Sequence, residues 1–264
     1  MSTHLLRFDP DIRLASQWIA AEGLTTNSEA DDGYGWHALL CAAFGKANAP
    51  KPFRIFTRRG KPLQLLAYSP LTGTELKAHA AAFADPKAFA ALGVDELTSK
   101  PMPPFSQGRR LGFSLRMRPV VRADRDGDRD KTREIDAYVH ARANGDTREK
   151  AEIYLDWVRN RLAAGGAEVE ALRLDGLESV KVVRRGALEA DARPLKAIAG
   201  HAIAIVGALR VSDEPRFAEA IARGVGRHRA FGFGMLLLAP RRHECCLVAS
   251  VSKRRACLTP TGTD

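Results

Sequence analysis

Cysteine is scarce in this 264-residue chain, where Cys41, Cys245, Cys246 and Cys257 are the only four. None forms the CxxC pair with matching partners that a structural zinc site needs, and so few thiols exclude a disulfide framework. Reduced thiols are expected, with vicinal Cys245 and Cys246 filling a strand. Aromatic residues are also few, at 7%, which argues against extensive stacking platforms. No apolar run reaches the roughly 18 residues of a membrane span. The start MSTHLLRFDP lacks both the charged n-region and the continuous hydrophobic core of a secretion signal. A cytoplasmic location without a membrane partner is therefore expected.

Acidic residues are in deficit. With 41 Lys and Arg against 31 Asp and Glu, the net charge is +10. Such a surplus suits a polyanion, because neutralising phosphates releases condensed counterions, and nucleic acid leads among the possible partners. Hydrophobic residues at 45% and charged residues at 27% are ordinary for a globular protein. The length suffices for two compact units.

Leu5, Leu6 and Phe8 form a short apolar run stopped by Asp9–Pro10, after which Ile12, Leu14, Trp18 and Ile19 recur near helical spacing. The segment YGWHALLCAAFG puts Trp36, Leu39, Leu40 and Phe44 on one helical stripe ending at Gly45. FRIFTRRGKPLQLLAYSP reads as a hairpin around Arg59–Gly60, and TELKAHAAAFADPKAFAAL as helix broken at Asp85–Pro86. In LGFSLRMRPVV, Leu111, Phe113, Leu115 and Met117 alternate with Ser114, Arg116 and Arg118, which predicts a half-buried strand with a basic wet face. The order matches the βαββαβ ferredoxin-like unit, and the first unit is assigned to residues 1–121.

RADRDGDRDK, residues 122–131, carries no large apolar side chain and reads as a linker or mobile loop. An EF-hand starting at Asp124 would need glycine where Arg129 stands and glutamate where Ile135 stands, so the calcium reading fails. Two helical stretches follow within a charged linker and insertion spanning 122–164. In the second, Asp146 and Glu149 are at capping-box spacing, and Ala151, Leu155, Val158 and Leu162 lie in one row. Strand patterns return at VEALRL, LESVKVVRRG and HAIAIVGALRV. A helix capped by Asp213 then buries Phe217 and Ile221 and stops at Gly224, before the apolar strand FGMLLLAP. This second unit is assigned to 165–240, and the basic tail 241–264 is expected to be poorly ordered.

The segment GVGRHRAFGFG carries Gly224, Gly226, Gly232 and Gly234 within eleven residues. Glycines permit positive φ and let backbone amides approach phosphate oxygens, while Arg227, His228 and Arg229 add charge. A dinucleotide loop is excluded, because Arg229 stands at the third glycine position of GxGxxG and the order is helix, loop, strand. The bland alternative is a tight connection in which Gly224 is a helix C-cap.

GVGRHRAFGFGMLLLAP resembles the C-terminal signature of CRISPR-associated endoribonucleases of the CasE subtype, within the RAMP superfamily. Tyr34-Gly35-Trp36-His37, followed by apolar residues and Phe44-Gly45, is similar to the Tyr-x-x-His of that subtype's N-terminal half. The likeness covers most of residues 1–240. It implies an α/β (α+β) fold of two tandem ferredoxin-like, RRM-like domains. It also implies metal-independent cleavage of precursor CRISPR RNA in its repeats, with retention of the repeat hairpin among the subunits of an interference complex. No cofactor is implied.

Tyr34 and His37 are three apart, so on a helix they share a face and can meet one scissile phosphate. RNA is cut without metal when its 2′-hydroxyl attacks the adjacent phosphorus, one group removing that proton and another protonating the leaving 5′ oxygen. The resemblance implies a 2′,3′-cyclic phosphate and a 5′-hydroxyl as products. It makes His37 the acid or base and Tyr34 a positioning hydroxyl; His228 competes as a catalyst because it sits in the glycine loop, but RNA contact is the role expected of it, as of Arg227 and Arg229. Among the basic strand residues Arg54, Arg58, Arg59, Arg116, Arg118, Lys181, Arg184 and Arg185, the pair Arg116 and Arg118 is favoured for RNA contact, with Lys46 just past the helix stripe. Two alternatives stay open: a type IV-like processing relative with arginine-based catalysis, and a RAMP subunit that grips guide RNA without cutting it.

Overall fold

A computed structural model describes residues 2–24, 30–57, 60, 62–125, 128–185 and 195–240. The tail with its three cysteines, together with Arg58 and Arg59, lies outside them, as do the side chains of Arg184 and Arg185.

The first unit runs β1 (His4–Phe8), α1 (Ile12–Ala21), β2 (Ala30–Asp31), α2 (Gly33–Asn48), β3 (Phe53–Phe56), β4 (Gln64–Ser69), α3 (Gly73–Phe83), α4 (Pro86–Leu92) and β5 (Thr98–Pro101). Its antiparallel sheet has the order β3-β4-β1-β5. Helix boundaries follow local chemistry. The Asp11 carboxylate accepts from the amides of Arg13 and Leu14 at the start of α1, and Thr72 and Glu75 form a reciprocal capping box on α3. Asp85 caps α4, whose proline is tolerated in the first turn because that amide would have no helical partner. The expected stripe of Trp36, Leu39, Leu40 and Phe44 is buried, and α2 kinks at Gly45, whose φ of 70° no longer fits the helix. On α1 the apolar pattern overstated the core: Trp18 is buried, whereas Ile12 and Leu14 are exposed.

The second unit runs β6 (Arg110–Met117), β7 (Val120–Arg125), β8 (Asp128–Asp136), α5 (Ala137–Ala143), α6 (Lys150–Ala164), β9 (Ala167–Arg185), β10 (Leu195–Val211), α7 (Glu214–Arg223) and β11 (Leu237–Pro240). Its sheet has the order β11-β6-β10-β9, and β2 adds in parallel at the β9 edge, Ala30 opposite Lys181. Taking four strands in chain order, both sheets arrange them 4-1-3-2, so the chain folds as two tandem ferredoxin-like units.

This pairing corrects the expected boundary at residue 121. β6 hydrogen-bonds to β10 and β11 and opens the second unit, while the short β5 closes the first. The stretch 122–164 is accordingly no insertion, since α6 is the crossover between β6 and β9. Nor is the described part of 122–131 a linker: Val120–Arg125 and Asp128–Asp136 pair as antiparallel strands, Val120 opposite Asp136. Charge suppressed the strand signal there because a two-stranded ribbon can leave its polar side chains in water. The capping box predicted from Asp146 and Glu149 does not form: Glu149 makes no side-chain cap, and Asp146 accepts from the Arg148 amide instead. α6 buries Ile153, Tyr154, Trp157, Val158 and Leu162, a face rotated from the predicted row.

The first core holds Leu6, Phe8, Leu39, Leu40, Phe44 and Phe53, and the second holds Phe113, Leu115, Ile203, Ile205 and Phe217. The far face of the first sheet supplies Leu5, Leu66 and Tyr68 to the second core. The buried Tyr68 hydroxyl donates to the Leu236 carbonyl at 2.8 Å, and Arg54 on β3 donates to the Ser114 hydroxyl on β6 at 2.9 Å.

Candidate functional site

Two segments far apart in sequence meet where the units join. α2 begins directly after β2, so the backbone pairing of Ala30 and Asp31 with Lys181 and Val182 tethers its N-terminal turn to the second sheet. The second segment is the glycine loop between α7 and β11. All four of its glycines have positive φ, from 76° to 83°. Gly234 is obligatory: a Cβ there would lie 2.3 Å from the Val225 carbonyl oxygen. At Gly224 a side chain would strike Pro52 at 2.9 Å. Several loop amides are committed internally. Val225 donates to Gly234, Gly234 to Arg116, and Phe231 to His228, each at 2.8 Å. Those amides hold the loop shut, and the side chains of Arg227, His228 and Arg229 carry its charge.

Phe231, in a short 3-10 turn spanning Arg229–Phe231, joins the segments. Its ring lies edge-on to His37 with centroids 5.7 Å apart, and its centroid is 5.8 Å from that of Tyr34. Tyr34 and His37 thus share the face of α2 that meets the loop. Burial, followed by the nearby charges of Lys51 and Lys46, pushes the His37 pKa below its ordinary value, because each disfavours a second positive charge. The Cys41 sulfur, one turn further along α2, lies 3.8 Å from His37 Nε2, and burial pushes its thiol pKa up.

Beside Phe231 a cleft of about 790 Å³ opens, lined by Asn48, Lys51, Tyr68, Arg223, Arg227, His228 and Arg229 among others. Such a volume falls within the usual range for a ligand site. On its wall, Glu134 of β8 bonds His228 Nε2 at 2.8 Å and accepts from Arg227. The His228 hydrogen bond, with Arg227 adding to it, holds the Glu134 carboxyl well below the usual range, at about 2. His228 is 5% exposed and has a left-handed φ of 59°, alone among the described non-glycine residues. Such a backbone persists only where surroundings over-determine it, here with Glu134 bonded to Nε2 and the Arg118 guanidinium 3.5 Å from the same nitrogen.

The alternation of β6 misplaced Arg118. The strand ends at Met117, the chain turns, and the Arg118 side chain is 1% exposed instead of lying on a wet basic face with Arg116. It donates to the Ala199 carbonyl and its tip lies against Gly200, where an added Cβ would displace it. Arg116 lies 4.6 Å over the Phe233 ring and pairs with Glu178. Lys46 is exposed in the last turn of α2. Nearby, Asp136 caps α5 and receives the Tyr154 hydroxyl and the His201 ring, a packing role for His201. Phe231, Glu134 and Lys51 were missed: the first was one apolar letter in a glycine motif, the second lay in apparent linker, and the third had no pattern.

A profile described as CRISPR associated protein matches residues 4–240. The chain belongs to this CRISPR-associated family. No curated protein matches it. Among solved structures, this CRISPR-associated chain is similar to the CRISPR endoribonuclease Cse3 bound to a 19-nucleotide RNA, with 21% identity and a TM-score of 0.61 over 91% of this chain and 100% of the other. It is also similar to Thermus thermophilus Cse3 bound to an RNA representing a pre-cleavage complex, with 19% identity and a TM-score of 0.57 over 91% and 100% of the two chains. A chain of a CRISPR RNA-guided surveillance complex in a pre-nicking state matches at 21% identity and a TM-score of 0.52, over 90% and 100%. At these identities the likeness is one of fold, and it agrees with the two ferredoxin-like units. Among the described residues, no helix is long and apolar enough to cross a membrane.

Proposed function

We propose that this CRISPR-associated protein is an endoribonuclease that cuts precursor CRISPR RNA within its repeats, without metal, at a site built from Tyr34 and His37. The observation that carries this reading is the contact of both side chains with Phe231, which sets a titratable imidazole beside a cationic glycine loop. Membership of the family supports it, as do the RNA-bound endoribonucleases that share the fold.

In this mechanism the 2′-oxygen bonds to phosphorus while the P–O5′ bond breaks. Because burial and the two lysines lower the His37 pKa, the ring is neutral near pH 7 and serves as the base for the 2′-hydroxyl proton. The ammonium groups of Lys46 and Lys51 face the charge that accumulates on the phosphorane, and Tyr34 positions the phosphate. The departing 5′ oxygen takes a proton from solvent water, leaving a 2′,3′-cyclic phosphate and a 5′-hydroxyl. The repeat hairpin stays bound by Arg116 and the loop side chains Arg227, His228 and Arg229, and the complex enters an interference assembly.

The test is incubation of cognate repeat RNA with the parent, His37→Ala and His228→Ala in EDTA, followed by mapping of RNA ends. The reading requires cutting by the parent, loss in His37→Ala, and cyclic-phosphate ends. An intact repeat that nevertheless binds tightly would make the protein a guide-RNA grip instead.

A further inference from the structure

The cleft beside Phe231 is lined by Lys51, Arg223, Arg227, His228 and Arg229, and among the described residues its one acidic lining group is Glu134. The carboxylate spans two donors: Oε1 accepts from Arg227 Nε, and Oε2 accepts from His228 Nε2 at 2.8 Å. The ionised Glu134 carboxylate can only accept, so the proton on Nε2 is assigned to point at it, and the Arg118 guanidinium 3.5 Å from the same nitrogen packs there without donating to it. One carboxylate bridging two N–H donors of a glycine loop reproduces what the two non-bridging oxygens of a phosphodiester would do there. The geometry is built rather than incidental. Glu134 is brought in by the β7–β8 hairpin, and it holds His228 in a left-handed backbone that only glycine adopts readily.

We propose that in the RNA-free protein Glu134 occupies the place of an RNA phosphate, and that substrate RNA enters by displacing it from Arg227 and His228. This rests on the RNA-binding reading above and adds a group that RNA must compete with. RNAs reaching only this loop then bind weakly, whereas those with further contacts can drive the exchange. Glu134 is a positioning residue, acting through Arg227 and His228.

The experiment measures repeat-RNA affinity against salt concentration for the parent, Glu134→Gln, Arg227→Gln and the double variant, all as full chains. Glu134→Gln keeps the shape and removes the charge. It should tighten binding about fivefold or more, the scale of one partly buried ion pair. The slope of log K against log salt should steepen by about one, since removing one negative charge leaves one more net positive charge to neutralise phosphate. The gain should vanish in the double variant. Unchanged or weaker binding by Glu134→Gln overturns the proposal, and so does an equal gain without Arg227, which would mark a general charge effect. A parent that binds no repeat RNA would overturn the RNA reading itself.

Discussion

The Phe231 ring stands edge-on to His37 at 5.7 Å, so a residue of the C-terminal loop forms one wall of the imidazole's site on an N-terminal helix. Phe231→Ala should therefore act on chemistry more than on stability. Loss of the wall lets His37 and Tyr34 drift, and misplacement by about 1 Å can cost about 100-fold in rate. Single-turnover cleavage should fall by roughly 10-fold to 100-fold on that basis, with repeat affinity changed much less. A fall in affinity with an unaltered rate would remove Phe231 from the site.

The lowered pKa of His37 gives its pH dependence a definite sign. Acting as base, the ring must be neutral, so single-turnover rate should rise with pH through an inflection below the ordinary value of 6.5 and level off above it. A rate that instead declines as pH rises through that range would make His37 the acid. The check is a rate profile from pH 5 to 8, which also excludes a silent ring if His37→Ala abolishes the inflection.

Glu134 predicts a stability effect of opposite sense to its effect on binding. Its folded-state pKa, about 2, is depressed from 4.5, so its contribution is present above the unfolded value and lost as pH falls from about 4.5 toward 2. Glu134→Gln should thus melt below the parent at pH 7, and the gap should narrow as the buffer is taken to pH 3. A constant gap would mean that the carboxylate's charge contributes nothing to the loop.

Gly234 and Gly145 separate backbone strain from collision. Both have positive φ, but a Cβ at 145 meets nothing within 4 Å, whereas at 234 it meets the Val225 carbonyl. Gly145→Ala should cost about 1–2 kcal/mol, the penalty of a left-handed L-residue alone. Gly234→Ala should cost more, since the loop must also open and lose its bonds to Arg116 and Val225. Equal losses in denaturant melts would show that the loop relaxes freely.

Much of this was legible along the chain. Period-two and period-3.6 patterns drew β1, α2, the β3–β4 hairpin and α7, because each buries one face and its side chains repeat accordingly. The basic surplus pointed to a polyanion, and Tyr34, His37 and the four loop glycines stood at spacings that local geometry explains. What the chain order could not assign was membership. β6 alternates equally well in either sheet, and only hydrogen bonding to β10 and β11 puts it in the second unit. Burial of Arg118 depended on a turn after Met117 and on the absence of a side chain at Gly200. Glu134 stood in a charged stretch without periodicity, and its meeting with Arg227 and His228 is a long-range contact. Local sequence set the elements and the reactive groups, through backbone preference and side-chain period. Tertiary packing decided which of those groups face one another, because strand pairing and loop closure bring together residues that no spacing relates.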